Sequence, residues 1–289
     1  VCFVLSYGPL VGDRTFDGAR ERNRAVFPTL IEIGPFHLPA YATLLSIGLV
    51  GGVVLSVWQG PRRGLSSTAC FDASLLAAFG GLFGARFAYA AVNWTYFSDH
   101  LLEAVQPWAG GLAWQGGLAL ALLLVTLCGV LRRIPLAVLF DALTLGLSWF
   151  TLFIWMGSGA ANDVYGRETF PTDGWLWTLS ADLPDLYGIR APRVNVPLMG
   201  IVWSALVFVV LIFLERRLRL AGSLFLAYLT LTGFGGLFFV SLQADAVPYL
   251  LDLRIDWWFY LLMLVSGTSG FFVLGLQGIR EKRRVPDQW

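Results

Sequence analysis

Arg86 is the residue most in need of a chemical explanation. It is the ionised side chain set well inside a long apolar run, towards the far end of that run. An arginine at the centre of a lipid-facing helix costs about 2.5–3.5 kcal/mol, so its guanidinium must snorkel, pair or line a polar cavity. At headgroup depth it can grip a lipid phosphate through two parallel hydrogen bonds. The alternative is a tether to a carboxylate or to main-chain carbonyls. Asp72 and Asp141 fall at helix starts, where an anion is favourable, and both read as structural. His37 and His100 lie outside the apolar runs and read as satisfied or solvated groups, not as haem or chlorophyll ligands. Cys2, Cys70 and Cys128 are too few and too scattered for a metal site or a disulfide framework. Cys128 sits in an apolar run and reads as an inert buried thiol. No cofactor and no metal is expected.

These residues need a scaffold, and the composition says what kind. Of 289 residues, 57% are apolar and 13% charged, with a mean hydropathy of +0.68. A soluble domain has about twice that share of charge, and a disordered chain the opposite balance. The formal net charge of +1, with basic residues scattered, gives no electrostatic case for nucleic acid. A crossing takes about 20 apolar residues. Seven runs qualify: Ala40–Trp58, Phe71–Val92, Gly117–Leu131, Leu136–Met156, Val196–Leu214, Ser223–Leu242 and Trp257–Leu276. The third is short unless it begins nearer Gly110. The fold class is therefore an all-α integral membrane bundle of seven helices.

The loops orient it. Arg62, Arg63, Arg132, Arg133, Arg216, Arg217 and Arg219 share one side with Arg280, Lys282, Arg283 and Arg284 of the tail. The opposite connections are rich in Asp and Glu. The positive-inside rule puts the C-terminus in the cytoplasm and the N-terminus outside. Arg14, Arg20, Arg22 and Arg24 count against this, but they alternate with acids well before the first crossing. The expected organisation is an extracytoplasmic arm over 1–39, four helices over 40–156, an extracytoplasmic head over 157–195, three helices over 196–276 and a cytoplasmic basic tail over 277–289. Trp94, Trp108, Trp175, Trp177, Trp257 and Trp258 look like interfacial anchors. Ile33-Gly34-Pro35-Phe36 reads as a short strand with a turn. Gly48, Gly51 and Gly52, then Gly80, Gly81 and Gly84, then Gly233, Gly235 and Gly236, read as helix packing, the alternative being a cleft for an acyl chain. Val1–Leu5 is too short for a signal-peptide core. The opening Val implies processing or a start further upstream.

Several short motifs fall in one order. They are Ile33-Gly34-Pro35-Phe36, Gly84-Ala85-Arg86-Phe87-Ala88-Tyr89, Gly110 to Gly117 with Gln115 within it, Asp141, and Tyr165-Gly166-Arg167-Glu168-Thr169. In this order the chain resembles the bacterial prolipoprotein diacylglyceryl transferases from about Phe27 to Gly275. The resemblance implies a seven-helix inner-membrane enzyme that moves diacylglycerol from phosphatidylglycerol to a lipobox cysteine thiol. It also implies departures at the chemistry. Gln115 stands at the family's histidine. Trp155, Gly157 and Ser158 stand where its signature has Arg, Gly and usually Asn or Cys. Ala161 stands at the later Asn, and Asp163 at the acidic position. Leu237, Ser241 and Gln243 stand at later charged positions. Val194–Gly200 keeps little of the segment before the fifth helix.

A thiol must lose its proton and a phosphate must leave, which calls for a base and fixed positive charge. On this reasoning the sequence favours a non-catalytic relative. It would be an accessory or lipid-binding subunit of a larger membrane complex, respiratory or photosynthetic for example. Its lipid contacts would be Arg86, Tyr89, Gln115, Gly166 and Arg167. Its partners would be phospholipid and another integral membrane protein. The alternative is a diverged active transferase carried by Arg86, Asp163 and Arg167. A transporter is weaker, lacking paired charges or matched interruptions in two halves.

Overall fold

The computed structural model describes residues 29–284, apart from 34, 35, 108–110, 186, 219 and 246. Cys2, Arg14, Arg20, Arg22, Arg24, Gly34, Pro35, Trp108 and Gly110 lie outside the described residues. Seven helices are long and apolar enough to cross a membrane. They are α1 Ala40–Gln59, α2 Ser67–Val92, α3 Trp114–Leu131, α4 Leu136–Ala161, α5 Val196–Glu215, α6 Ser223–Val240 and α7 Ile255–Arg284. The protein is an all-α, seven-span membrane protein.

The helix ends differ from the apolar runs for local reasons. α2 begins four residues before Phe71, because the Ser66 hydroxyl accepts from the Ala69 amide at 3.2 Å and caps its polar first turn. α3 starts at Trp114, which lengthens the short third run. α4 continues through Gly157-Ser158-Gly159-Ala160-Ala161. Those small residues imitate a loop in sequence. Here they let neighbours close in: a Cβ on Gly157 would stand 3.0 Å from the Tyr41 ring. Asn162, in the left-handed region at φ 51°, ends the helix. α5 opens on Asn195, whose side chain accepts from the Leu198 amide at 3.1 Å.

Glycine sets how close the helices come. Between α2 and α3, a Cβ on Gly84 would meet the Gly116 carbonyl at 2.5 Å, and one on Gly116 the Gly84 carbonyl at 2.5 Å. Between α1 and α4, a Cβ on Gly52 would lie 2.8 Å from the Gly146 carbonyl. Apolar side chains are no more attractive to each other than to lipid, so backbone approach of this kind holds membrane helices together. Cys70 and Cys128 are both buried thiols.

The two ends of the bundle have different characters. At the head end lie three antiparallel hairpins: β1 Thr29–Ile33 with β2 Phe36–Pro39, β3 Ser180–Pro184 with β4 Arg190–Val194, and β5 Tyr249–Leu250 with β6 Leu253–Arg254. The other end is rich in arginine. Arg132 pairs with Asp72 at 2.5 Å, and Arg63 pairs with Asp141 at 3.1 Å. The Asp141 carboxylate does not serve the start of its own helix. It accepts from the Gly222 amide at 2.8 Å and the Phe225 amide at 2.9 Å, so it caps α6 from α4. Asp141→Ala strands Arg63 and uncaps α6 together. Breaking a buried pair from one side costs about 3–5 kcal/mol. Unfolding in mild detergent should show a loss of that size, with Asp141→Asn intermediate.

Candidate functional site

The site grows from a short main-chain ribbon. The Arg167 amide donates to the Leu242 carbonyl at 2.9 Å, and the Ala244 amide donates to the Tyr165 carbonyl at 3.0 Å. Gly166 and Gln243 face each other as an antiparallel bridge. On its other side Gly166 donates to the Val194 carbonyl at 3.1 Å, and Val194 donates to the Arg167 carbonyl at 3.1 Å. Residues 165–167 are thus the middle rung between the loop after α6 and strand β4. A Cβ on Gly166 would come within 2.6 Å of the Val194 carbonyl oxygen, so a side chain there would push the rungs apart.

The same loop carries a buried ion cluster. Arg254 Nη2 lies 3.1 Å from each carboxylate oxygen of Asp245, and Nη1 donates to the Asp245 carbonyl at 2.9 Å. Nη2 also lies 3.3 Å from Gln243 Oε1 and 3.6 Å from Asp256 Oδ2. The side chains of Arg254, Asp245 and Asp256 are 10%, 1% and 2% exposed. Asp256 Oδ1 accepts from Gln115 Nε2 at 2.7 Å and from Trp114 Nε1 at 2.9 Å. One cation therefore faces two carboxylates, and the second carboxylate fixes the side chains that open α3.

Asp163 stands apart from those pairs. After the turn at Asn162 its carboxylate is tucked under the end of α4. Its Oδ1 is buried and has no hydrogen-bond partner among the described residues. Burial pushes its pKa up to about 7; the charge of Asp245 adds to the rise, and the neighbouring Ser158 hydroxyl opposes it. Tyr41 of α1 is within electrostatic reach of this carboxylate.

Arg86 is buried at the head end of α2. Its Nη1 donates to the Gly111 carbonyl at 3.2 Å, and its Nη2 donates to the Glu103 carbonyl. The guanidinium lies 5.0 Å from the Phe97 ring centre and 5.7 Å from that of Tyr89. Of the two roles open to it from sequence, the geometry shows the tether to carbonyls. The Ala113 amide, bonded to the Ala85 carbonyl at 2.9 Å, fixes the same loop two residues before Gln115. Arg167 is exposed, and among the described residues its guanidinium has no hydrogen-bond or ion-pair partner. His100 is exposed and stacked on Tyr96 at 4.5 Å.

The structure thus joins Gly166 to the 242–245 loop, links Gln115 to it only through Asp256 and Arg254, places Asp163 where it feels Asp245, and keeps Arg86 with Tyr89 on a neighbouring wall. Tyr41, Trp114, Asp245, Arg254 and Asp256 were not singled out from sequence. The one signal for them was Arg254 and Asp256, two charges of opposite sign at the very start of the last apolar run. Trp155 is core: it packs with Val164, Val194 and Phe239, and Gly200 leaves room for its ring.

Seven crossings with a buried polar cluster at one end define a multi-pass membrane protein. The family model described as prolipoprotein diacylglyceryl transferase matches residues 28–273, and the chain belongs to that family. A phosphatidylglycerol–prolipoprotein diacylglyceryl transferase of Ligilactobacillus salivarius is 25% identical over 260 residues, covering 85% of this chain and 92% of the relative. Transferases of the same name from Streptococcus agalactiae and Streptococcus pyogenes are 26% and 28% identical, each covering 83% of this chain, and 93% and 92% of the relative. The family and the seven helices make this a multi-pass bacterial inner-membrane protein. They also correct the reading of a non-catalytic subunit, because relatives matching nearly end to end carry an enzyme's name. Nothing supports a partner membrane protein.

The raised Asp163 pKa has a consequence for stability. An unfolded Asp titrates near about 3.9. A folded value near 7 means the stabilising proton is held below the unfolded pKa and lost as pH rises through the folded one. Thermal unfolding of the purified protein should show stability falling from pH 5 to pH 8, and Asp163→Asn should flatten that slope.

Proposed function

We propose that this protein is an active, diverged phosphatidylglycerol–prolipoprotein diacylglyceryl transferase. The observation that carries the reading is the family match across residues 28–273, which spans every part of the site. The head end faces outward and the arginine-rich end the cytoplasm, in keeping with the charge of the loops. On this orientation the N-terminus and the 157–195 head are outside, and the 277–289 tail is cytoplasmic.

The reaction asks for a proton acceptor and a place for a phosphate. Asp163 suits the first of these, since a buried carboxylate titrating near 7 can take a proton from a thiol of ordinary pKa about 8.5. The thiolate sulfur then bonds to the glycerol carbon of the diacylglycerol unit. The bond from that carbon to the phosphate oxygen breaks, and the phosphoglycerol headgroup leaves with the electron pair. Arg167, exposed four residues beyond Asp163, offers a free guanidinium to the departing anion. Gln115, held by Asp256, can donate a neutral hydrogen bond. Arg86, with Tyr89 beside it, builds the wall of the site.

The test is direct. Cells depleted of their own transferase and expressing this chain should regain lipid-modified prolipoprotein. Asp163→Asn should lower the rate about 10²–10⁴-fold, the usual contribution of a general base. The rate of the unaltered enzyme should rise with pH through about 7. A chain that reaches the membrane folded yet modifies no prolipoprotein would sink the reading.

A further inference from the structure

A second lipid-shaped feature lies at the opposite end of the bundle. A groove of about 670 Å³ runs between the last turns of α1 and the start of α2. Val53, Val54, Val57, Trp58 and Phe71 line it together with Arg62. Val54, Trp58 and Phe71 are 60%, 52% and 45% exposed, so the wall is apolar and open sideways, where acyl chains would be. Arg62 is placed over it with some definition: its guanidinium carbon lies 3.3 Å from the centre of the Trp58 ring. Its one ion-pair contact among the described residues, Glu215, is 3.9 Å away, and the Arg62 side chain remains 48% exposed. An interaction that long and that wet is worth little, so most of the cation is available. Trp58 lies seventeen residues along α1 from Tyr41, about 25 Å at the helical rise. This groove is therefore separate from the site at the head end.

We infer that this groove is a binding site for one anionic phospholipid of the leaflet at the arginine-rich end. Its phosphate would lie on Arg62 and one acyl chain along Val54, Val57 and Phe71. Charge decides the occupant: the groove offers an apolar channel and a cation, with no carboxylate among its lining residues. A zwitterionic lipid brings its own ammonium against Arg62 and loses that advantage. The inference needs only the membrane crossings, and it stands or falls independently of the transferase reading.

The test uses Trp58 as the reporter. The other described tryptophans start at Trp94 and fall in the middle of a crossing or towards the head end. The full chain is placed in phosphatidylcholine nanodiscs holding a few per cent of lipid with brominated acyl chains. The Trp58 signal is the difference between the unaltered protein and Trp58→Phe. Brominated phosphatidic acid, which carries no ammonium, should quench it severalfold more than the same fraction of brominated phosphatidylcholine. Arg62→Gln should bring the two to the same value, and Arg62→Lys, which keeps the charge, should retain most of the preference. Equal quenching by both lipids in the unaltered protein, or a preference that survives Arg62→Gln, overturns the inference.

Discussion

The head end depends on one guanidinium held between two buried carboxylates. Taking an arginine and two aspartates out of water costs several kcal/mol for each ion before any attraction is counted. Arg254 can stay there because Asp245 and Asp256 face it and because carbonyls of the 243–245 loop accept from its Nη1. The cluster joins pieces far apart in the chain. Asp245 belongs to the loop after α6, Arg254 to hairpin β6, Asp256 to the first turn of α7, and Gln115 to the first turn of α3. Removing one ion would strand the others, so the cluster specifies a single arrangement of those four pieces.

Against this satisfied framework, Asp163 is the exception. Among the described residues its neighbours are a hydroxyl, a phenol and another carboxylate. Burial, with the charge of Asp245 adding to it, is what keeps its proton near neutral pH. A carboxylate locked in a salt bridge would be a poor proton acceptor. The paired charges hold the shape, and on the proposed reading Asp163 is the carboxylate used for chemistry. Trp155 fits the same division. It fills the apolar cluster beside the head, against Gly200 and Phe239, and leaves polar work to the 163–167 and 242–254 segments.

The bundle was legible because a crossing leaves a long apolar run that little else in a sequence imitates. Arg86 was legible too, since a charge inside such a run demands an explanation. Its partners were not, because carbonyl acceptors carry no mark in the sequence. Asp141 showed the limit differently: it sits at a helix start, yet its amide partners belong to α6, eighty and more residues away. Loop charges were read for orientation, and that count treats Arg254 as one more arginine outside. Only folding shows it turned inward onto Gln243. The reading of a non-catalytic subunit is overturned by the family match and by relatives that carry an enzyme's name, not by any single residue.

The way the helices pair has a mechanical corollary. α2 and α3 are welded by backbone contact at Gly84 and Gly116, and α6 clasps α7 where Gly233 meets the main chain of Leu264. Between α3 and α7, side chains at the head end tie Asp256 to Gln115 and Trp114, and set the Trp114 ring against Phe259 and Tyr260. Each welded pair is a stiff plank, and the seam between the planks is latched near its rim by an indole and an amide. Parting that seam would require Trp114 and Gln115 to let go of Asp256 and the Trp114 ring to leave Phe259 and Tyr260, while α2 stays on α3 and α6 on α7.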